Sequence, residues 1–325
     1  MIFSKNIVFV LFLFLFTFLN AQECPHGDLD PIYCDKDGDM LADPPENPSQ
    51  GTDPYELVFA YSPVEDPAVY RKAWQDFITH LSRVTEKRVV FFPFQSNVAE
   101  IEAMKIGKLH IAGFNTGSVP SAVNCAGFHP FMMMGKADGS YGYKMEIITY
   151  PGSGIQSVKD IKDKTIAFTA PSSNSGFKAP VALLEEKFGL VKERDYHYIF
   201  SGKHSNSILS VANRIYPVAA IASSVRKRIE KRGLLKGKVI KTVYASQSFP
   251  TTGLGYAHNL KPALVAKIKK AFKTFNWTKS DGTPSSLLKE FSSSGYTQFI
   301  PADYKKDWKV IRTIDQESHA SRGCK

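Results

Sequence analysis

The sequence predicts an α/β fold of two lobes, two α/β domains joined by two hinge crossovers. Three observations predict it. Short apolar segments alternate with amphipathic ones over most of the chain. A chain of 325 residues is long enough for about two domains. The strand–helix theme also starts again near Asp160 and leads back near Val239, so one unit reads as inserted in the other.

The elements follow in order. Leu57–Tyr61 reads as a strand, and Ala68–Thr85 as one helix with Val69, Ala73, Phe77 and Leu81 on its inner face. Val89–Pro93 is a strand, Val98–Ile106 a helix, and His110–Phe114 a strand ending in the polar turn Asn115–Ser118. Lys144–Tyr150 is a strand at the first crossover. Thr165–Thr169, Tyr196–Phe200 and Ala219–Ala222 are strands followed by helices at 177–188, 207–213 and 223–232. Val239–Ser246 is a strand leading back, Pro262–Phe275 an amphipathic helix, and Leu287–Phe291 and Tyr304–Gln316 are helical. The first lobe is then 54–147 with 248–325, and the second is 148–247. Met132–Met134, Trp74 and Trp308 read as packing residues.

Composition is that of an ordinary globular protein, 43% hydrophobic and 22% charged. The net charge is +10, densest at Arg226–Arg232 and Lys267–Lys273. No nucleic-acid motif accompanies it, so these stretches read as solvated basic helices. Lys5, the apolar run Ile7–Leu19 and Ala21 predict a signal peptide, residues 1–21, cut after Ala21. The chain is expected to be exported to the periplasm, with no membrane span.

Residues 22–53 read as an irregular extension rich in cysteine and aspartate. Export permits disulfides, and Cys24 is expected to pair with Cys34. For Cys125 and Cys324, a mutual bond and a free buried Cys125 stand as alternatives. Asp35, Asp37, Asp39 and Asp43 resemble part of a calcium loop, against the plainer reading of an acidic turn. No metal site or cofactor is otherwise expected.

The site is read from the stretch Thr165–Pro180. A strand ends in the turn Ser172-Ser173-Asn174-Ser175-Gly176, and a helix begins at once. The first N–H groups of a helix lack internal partners and sit at the positive end of its dipole, so the turn suits an oxyanion. Plain N-capping by Ser173 and Ser175 is the competing use. Tyr61, Asn115–Ser118 and Ser201–His204 also lie just beyond strand ends, where ligands of open α/β sheets bind. Tyr61 also fits a core aromatic, and Asn115 and Thr116 also fit turn formers. A P-loop is excluded, and no Gly-x-Ser-x-Gly elbow is present. A secreted hydrolase using Ser173 or Ser175 with His204 is the rival from the enzyme class.

Five segments carry a family resemblance. They are Ala60-Tyr61-Ser62-Pro63-Val64-Glu65-Asp66-Pro67, Gly113-Phe114-Asn115-Thr116-Gly117-Ser118, Pro171–Gly176, Ser201-Gly202-Lys203-His204 with Ser207-Ile208, and Phe249-Pro250-Thr251-Thr252. Together they resemble the solute-binding proteins of phosphonate, phosphite and phosphate ABC transporters, the PhnD-like family, over about residues 55–318. The resemblance implies the type II periplasmic binding protein fold, no catalysis, and a small phosphorus oxyanion held between the lobes for a membrane permease. It implies a monomer without nucleic acid, and a ligand-sensing module for a membrane receptor is the further alternative.

The resemblance also implies roles. Ser173, Asn174 and Ser175, with N–H groups of Ser175 and Gly176, would surround the phosphorus-bound oxygens. Tyr61, Asn115, Thr116 and His204 would complete the donors. Asn174 stands where the family usually has threonine. Ser223 and Ser224 stand where a carboxylate for an ammonium group is expected, which favours ligands without one, although Glu65 or Asp66 is within reach in sequence.

Overall fold

The computed structural model describes residues 24–317 and Cys324; the predicted leader lies outside them. Eleven strands form two sheets among the described residues. They are β1 (Glu56–Tyr61), β2 (Arg88–Phe91), β3 (Ile111–Phe114), β4 (Phe128–Gly135), β5 (Tyr143–Thr149), β6 (Thr165–Phe168), β7 (His197–Phe200), β8 (Val218–Ala222), β9 (Lys241–Phe249), β10 (Gly253–Ala257) and β11 (Gln298–Pro301).

The first sheet has the order β11-β4-β10-β3-β1-β2 and the second β7-β6-β8-β5-β9. In each, three parallel strands (β2-β1-β3 and β7-β6-β8) carry the helix crossovers, and all remaining pairings are antiparallel. The chain passes from the first sheet to the second between β4 and β5, and returns between β9 and β10. Both passages are short, residues 136–142 and 250–252, so the two lobes are joined by two short segments. The parallel strands of both lobes point their carboxyl ends at the space between the sheets. The loops after β1, β3, β6, β7 and β8 therefore converge there.

Some elements differ from expectation. The stretch 68–85 is two helices, Pro67–Ala73 and Gln75–Thr85, broken at Trp74. Trp74 is fully buried against Tyr61, Phe59 and Phe77, and its N–H and C=O still bond Tyr70 O and the Ile78 N–H across the break. Trp308 likewise separates Tyr304–Asp307 from Lys309–Glu317, and its Nε1 donates to Thr116 O at 3.2 Å. Helix Val119–Ala126 and strands β4, β10 and β11 had no clear sequence signal. β4 is apolar apart from His129 and contains Pro130, which reads against a strand. It is tolerated because the β4–β10 register slips between Leu254 and Gly255, where a missing N–H costs little. Met132, Met133 and Met134 are core residues of this strand.

Two disulfides join Cys24 to Cys34 and Cys125 to Cys324, which resolves the open alternative in favour of pairing. The extension is docked, not loose. Leu29, Tyr33, Leu41 and Ala42 are buried, and Tyr33 meets the His258 ring edge-on at 4.8 Å.

Candidate ligand-binding site

The wall from the second lobe starts where β6 ends. Ser173 caps the next helix, its Oγ accepting the Gly176 N–H at 3.0 Å. The helix opens earlier than expected, at Asn174, as one wide π turn in which Lys178 N–H reaches Ser173 O at 3.0 Å. The α-helix proper is Ala179–Phe188. Gly176 is required in this turn: a Cβ there would lie 2.0 Å from Thr169 Oγ1.

His204 opens the helix His204–Ala212 and is 5% exposed. Its Nδ1 accepts the Ala222 N–H at 3.1 Å, which fixes the tautomer: the proton of the neutral ring sits on Nε2. Nε2 lies 3.3 Å from Ser173 Oγ. Burial lowers the imidazole pKa to about 4, with Glu65 opposing and Arg228 reinforcing. His204 is therefore a neutral N–H donor at neutral pH. It cannot also take a proton from Ser173 through Nε2, so the pair lacks the base that a serine hydrolase needs.

The wall from the first lobe is held differently. Tyr61 closes β1, with its hydroxyl 3.0 Å from Thr252 Oγ1 and its ring against Tyr70 and Trp74. Burial pushes its pKa up to about 12. Asn115 Oδ1 accepts the N–H groups of Gly117 and Ser118. Thr116 Oγ1 donates to Pro250 O at 2.8 Å. Thr116 thus spends its hydroxyl proton on the second crossover and offers no donor to the cavity in this conformation. Behind this loop, Ser62 Oγ accepts the Asn115 N–H and donates to Glu100 Oε2 at 2.8 Å. Glu100 is fully buried, which raises its pKa to about 8 against the Ser62 hydrogen bond.

The lobes meet tightly. A Cβ on Gly117 would stand 2.4 Å from Ser172 O and 2.5 Å from Asn174 N. Lys178, buried in the second lobe, donates to Gly117 O at 2.9 Å and pairs with Asp315 of the first lobe at 2.8 Å. Between the walls is a cavity of about 50 Å³ lined by Tyr61, Asn115, Thr116, Ser173, Asn174 and His204. A water needs about 10–15 Å³ on this measure, so there is room for a ligand of only a few heavy atoms.

Ser175 and Gly176, also expected at the ligand, are outside the lining. Ser175 Oγ is buried without a hydrogen-bond partner, and the Gly176 N–H is already given to Ser173.

Sequence reasoning missed Tyr143, Arg228 and Tyr296, which also line the cavity, as do Ser224, expected near a ligand substituent, and Thr252, for which no role is expected from sequence. Arg228 corrects the reading of 226–232 as a solvated face, since it is 4% exposed. The signal was there: Val225, Arg228, Ile229 and Arg232 fall at i, i+3, i+4 and i+7, the spacing of one helix face. No carboxylate lines the cavity among the described residues. Glu65 is 1% exposed and bound to Arg228 and Arg232, and Asp66 caps helix Pro67–Ala73.

In the extension, carboxylate oxygens of Asp35, Asp37 and Asp39 lie within 4.8 Å of one another, while Asp43 accepts the Lys36 N–H. The described helices include none long and apolar enough to cross a membrane.

Comparison with known proteins identifies the family and the fold. Residues 59–308 match the family described as ABC transporter, phosphonate, periplasmic substrate-binding protein. A phosphate-import protein PhnD of Mycolicibacterium smegmatis is 28% identical over 246 residues, 71% of this chain and 75% of that protein. Among solved structures, a binding protein component of an ABC phosphonate transporter from Pseudomonas aeruginosa superposes with a TM-score of 0.71. It is 22% identical and covers 82% of this chain and 87% of its own. PhnD1 of Prochlorococcus marinus, in complex with methylphosphonate, also gives 0.71 at 16% identity, over 83% of this chain and 100% of its own. The last two establish a shared two-lobed fold.

Proposed function

We infer the ligand from one premise: the chain belongs to the family of periplasmic phosphonate substrate-binding proteins of ABC transporters. It is a binding component of an importer and not an enzyme. Within that role we propose that it captures phosphite, phosphate or a small alkylphosphonate without an amino group. The neutral His204, its Nε2–H beside Ser173 Oγ at 3.3 Å on the cavity wall, is the observation that carries this reading.

Support comes from the chemistry of the lining. His204 Nε2–H, the Tyr61 and Ser173 hydroxyls and the Asn174 amide converge on a cavity fit for a few atoms. Hydrogen bonds to a charged group contribute roughly 1.5–3 kcal/mol each, so three or four offset the desolvation of a small anion. The absence of a lining carboxylate among the described residues leaves an ammonium group without a partner. The proposal includes a monomer whose lobes exchange the chain between β4 and β5 and between β9 and β10, a few residues from the expected bounds at 147 and 248, acting with a membrane permease after removal of residues 1–21.

A thermal-shift screen over phosphite, phosphate, methylphosphonate and 2-aminoethylphosphonate tests it. A ligand at a hundred times its Kd stabilises the folded chain by about 2.7 kcal/mol. At least one of the first three should raise the Tm and the fourth should not. No shift with any phosphorus oxyanion would defeat the reading.

A further inference from the structure

Arg228 stands between the cavity and a carboxylate. Helix Ser223–Lys231 leaves the end of β8 and turns Arg228 inward, beside Val225 and Ile229. Arg228 lines the cavity although its side chain is only 4% exposed. Its Nε and Nη2 lie 2.8 Å and 2.7 Å from Glu65 Oε2. Nη1 donates to Ser294 Oγ at 3.3 Å, and the group sits 5.3 Å from the centre of the Phe291 ring.

Glu65 lies behind it, 1% exposed, and also accepts from Tyr70 and Arg232. Its charge reaches Tyr61 and His204, both of which line the cavity. Arg232 is in turn shared with Glu290 at 2.8 Å. The cluster is balanced, two cations against two carboxylates, but the member facing the ligand space is a cation.

We propose that Arg228 is a specificity-determining residue that masks Glu65, so that the cavity rejects ligands carrying an ammonium group and becomes amine-accepting when Arg228 is removed. The inference rests on the site being a phosphorus-oxyanion clamp. A cationic substituent entering the cavity meets the guanidinium, and like charges brought together in a desolvated site are strongly unfavourable. The arginine cannot relieve this by losing its proton, because its pKa lies far above neutral. Without Arg228, Glu65 keeps Arg232 as a partner, stays ionised, and presents its Oε2 to the vacated space. A ligand ammonium then takes the position of the guanidinium and restores the balance of charge.

The test compares two isosteric ligands, ethylphosphonate and aminomethylphosphonate, which differ by a methyl against an ammonium. Calorimetric titration at neutral pH, with methylphosphonate as reference, reads both. The intact protein should bind ethylphosphonate about tenfold or more tighter than aminomethylphosphonate. Equal affinities, or rejection of both while methylphosphonate binds, would overturn the proposal, since size and not charge would then decide. Arg228→Ala should shift the ratio about tenfold or more toward the amine, and Arg228→Lys should leave it as in the intact protein. The double variant Glu65→Gln/Arg228→Ala should lose the gain; a gain that persists there would show that Glu65 is not the partner. Should Arg228→Ala not fold, Arg228→Gln, which removes the charge and keeps most of the bulk, is titrated in its place and should also shift the ratio toward the amine; an unchanged ratio would overturn the proposal. If the intact protein binds neither phosphite, phosphate nor methylphosphonate, the oxyanion reading fails instead.

Discussion

The two walls of the cavity use the same kinds of residue to different ends. In the second lobe the backbone fixes the side chains. The Ala222 N–H holds His204, and the Gly176 N–H holds Ser173, so the two are set side by side on the cavity wall with Nε2 3.3 Å from Oγ. In the first lobe the side chains hold the backbone. Asn115 caps its own turn, Thr116 ties down the crossover at Pro250, and Tyr61 shares its hydroxyl with Thr252. The difference teaches where the ligand should gain its affinity. A donor already preorganised by the main chain loses little on binding, whereas a hydroxyl engaged inside its lobe must be shared.

Four substitutions break or sharpen this comparison. The largest effect falls where the walls are joined. Lys178→Met removes the cation from buried Asp315, whose pKa burial already raises against the pull of Lys178. The loss should be about 3–5 kcal/mol in urea unfolding, and Lys178→Met/Asp315→Leu should recover much of it, because an apolar pair leaves no buried charge. Retention of full stability in the single variant would show that the pair does not join the lobes.

Next comes the support beneath the first wall. Folded Glu100 keeps its proton up to about pH 8, whereas the unfolded chain releases it near 4.5. Between those values the folded state holds the extra proton, so stability is greatest below the lower one and falls as pH rises through the window. Glu100→Gln should flatten that fall and add on the order of 3–4 kcal/mol at about pH 8.5. A pH profile of urea midpoints unchanged by the substitution would contradict it.

Two ligand-facing changes follow. His204→Ala deletes the preorganised donor of the second wall and should weaken oxyanion binding by about 1.5–3 kcal/mol. Tyr61→Phe deletes a hydroxyl that Thr252 already shares, and about 1 kcal/mol is expected. Titration of both variants with phosphate and methylphosphonate tests the order. A larger loss at Tyr61 than at His204 would reverse the comparison between the walls.

What was legible in the sequence was local. The alternation of apolar segments gave the strands and helices that carry the loops, because side-chain period follows backbone geometry within a few residues. The Ser-Ser-Asn-Ser-Gly turn announced a capped helix start. Ser173 does cap it, although the wide turn that places Asn174 follows from packing beneath Thr169. The strand β4 was illegible because it is covered on both faces and shows no alternation. Arg228 was misread because a basic run is ordinarily solvated, and only a partner elsewhere can bring such a residue inside.

The sequence by itself determined the class of fold, the Cys24–Cys34 bond and the strand-end loops that bring Tyr61, Asn115, Thr116, Ser173, Asn174 and His204 to the cleft. It did so through short-range rules of caps, turns and periodicity. Only the tertiary structure decided which of those groups remain available. Glu65 and Arg228 are 163 residues apart, Thr116 and Pro250 are 134 apart, and Lys178 meets Asp315 across the lobes. A hydrogen bond or ion pair between such distant residues leaves no periodic trace in the chain. Burial then makes each pairing obligatory, because an unpartnered charge or donor costs more inside than in water.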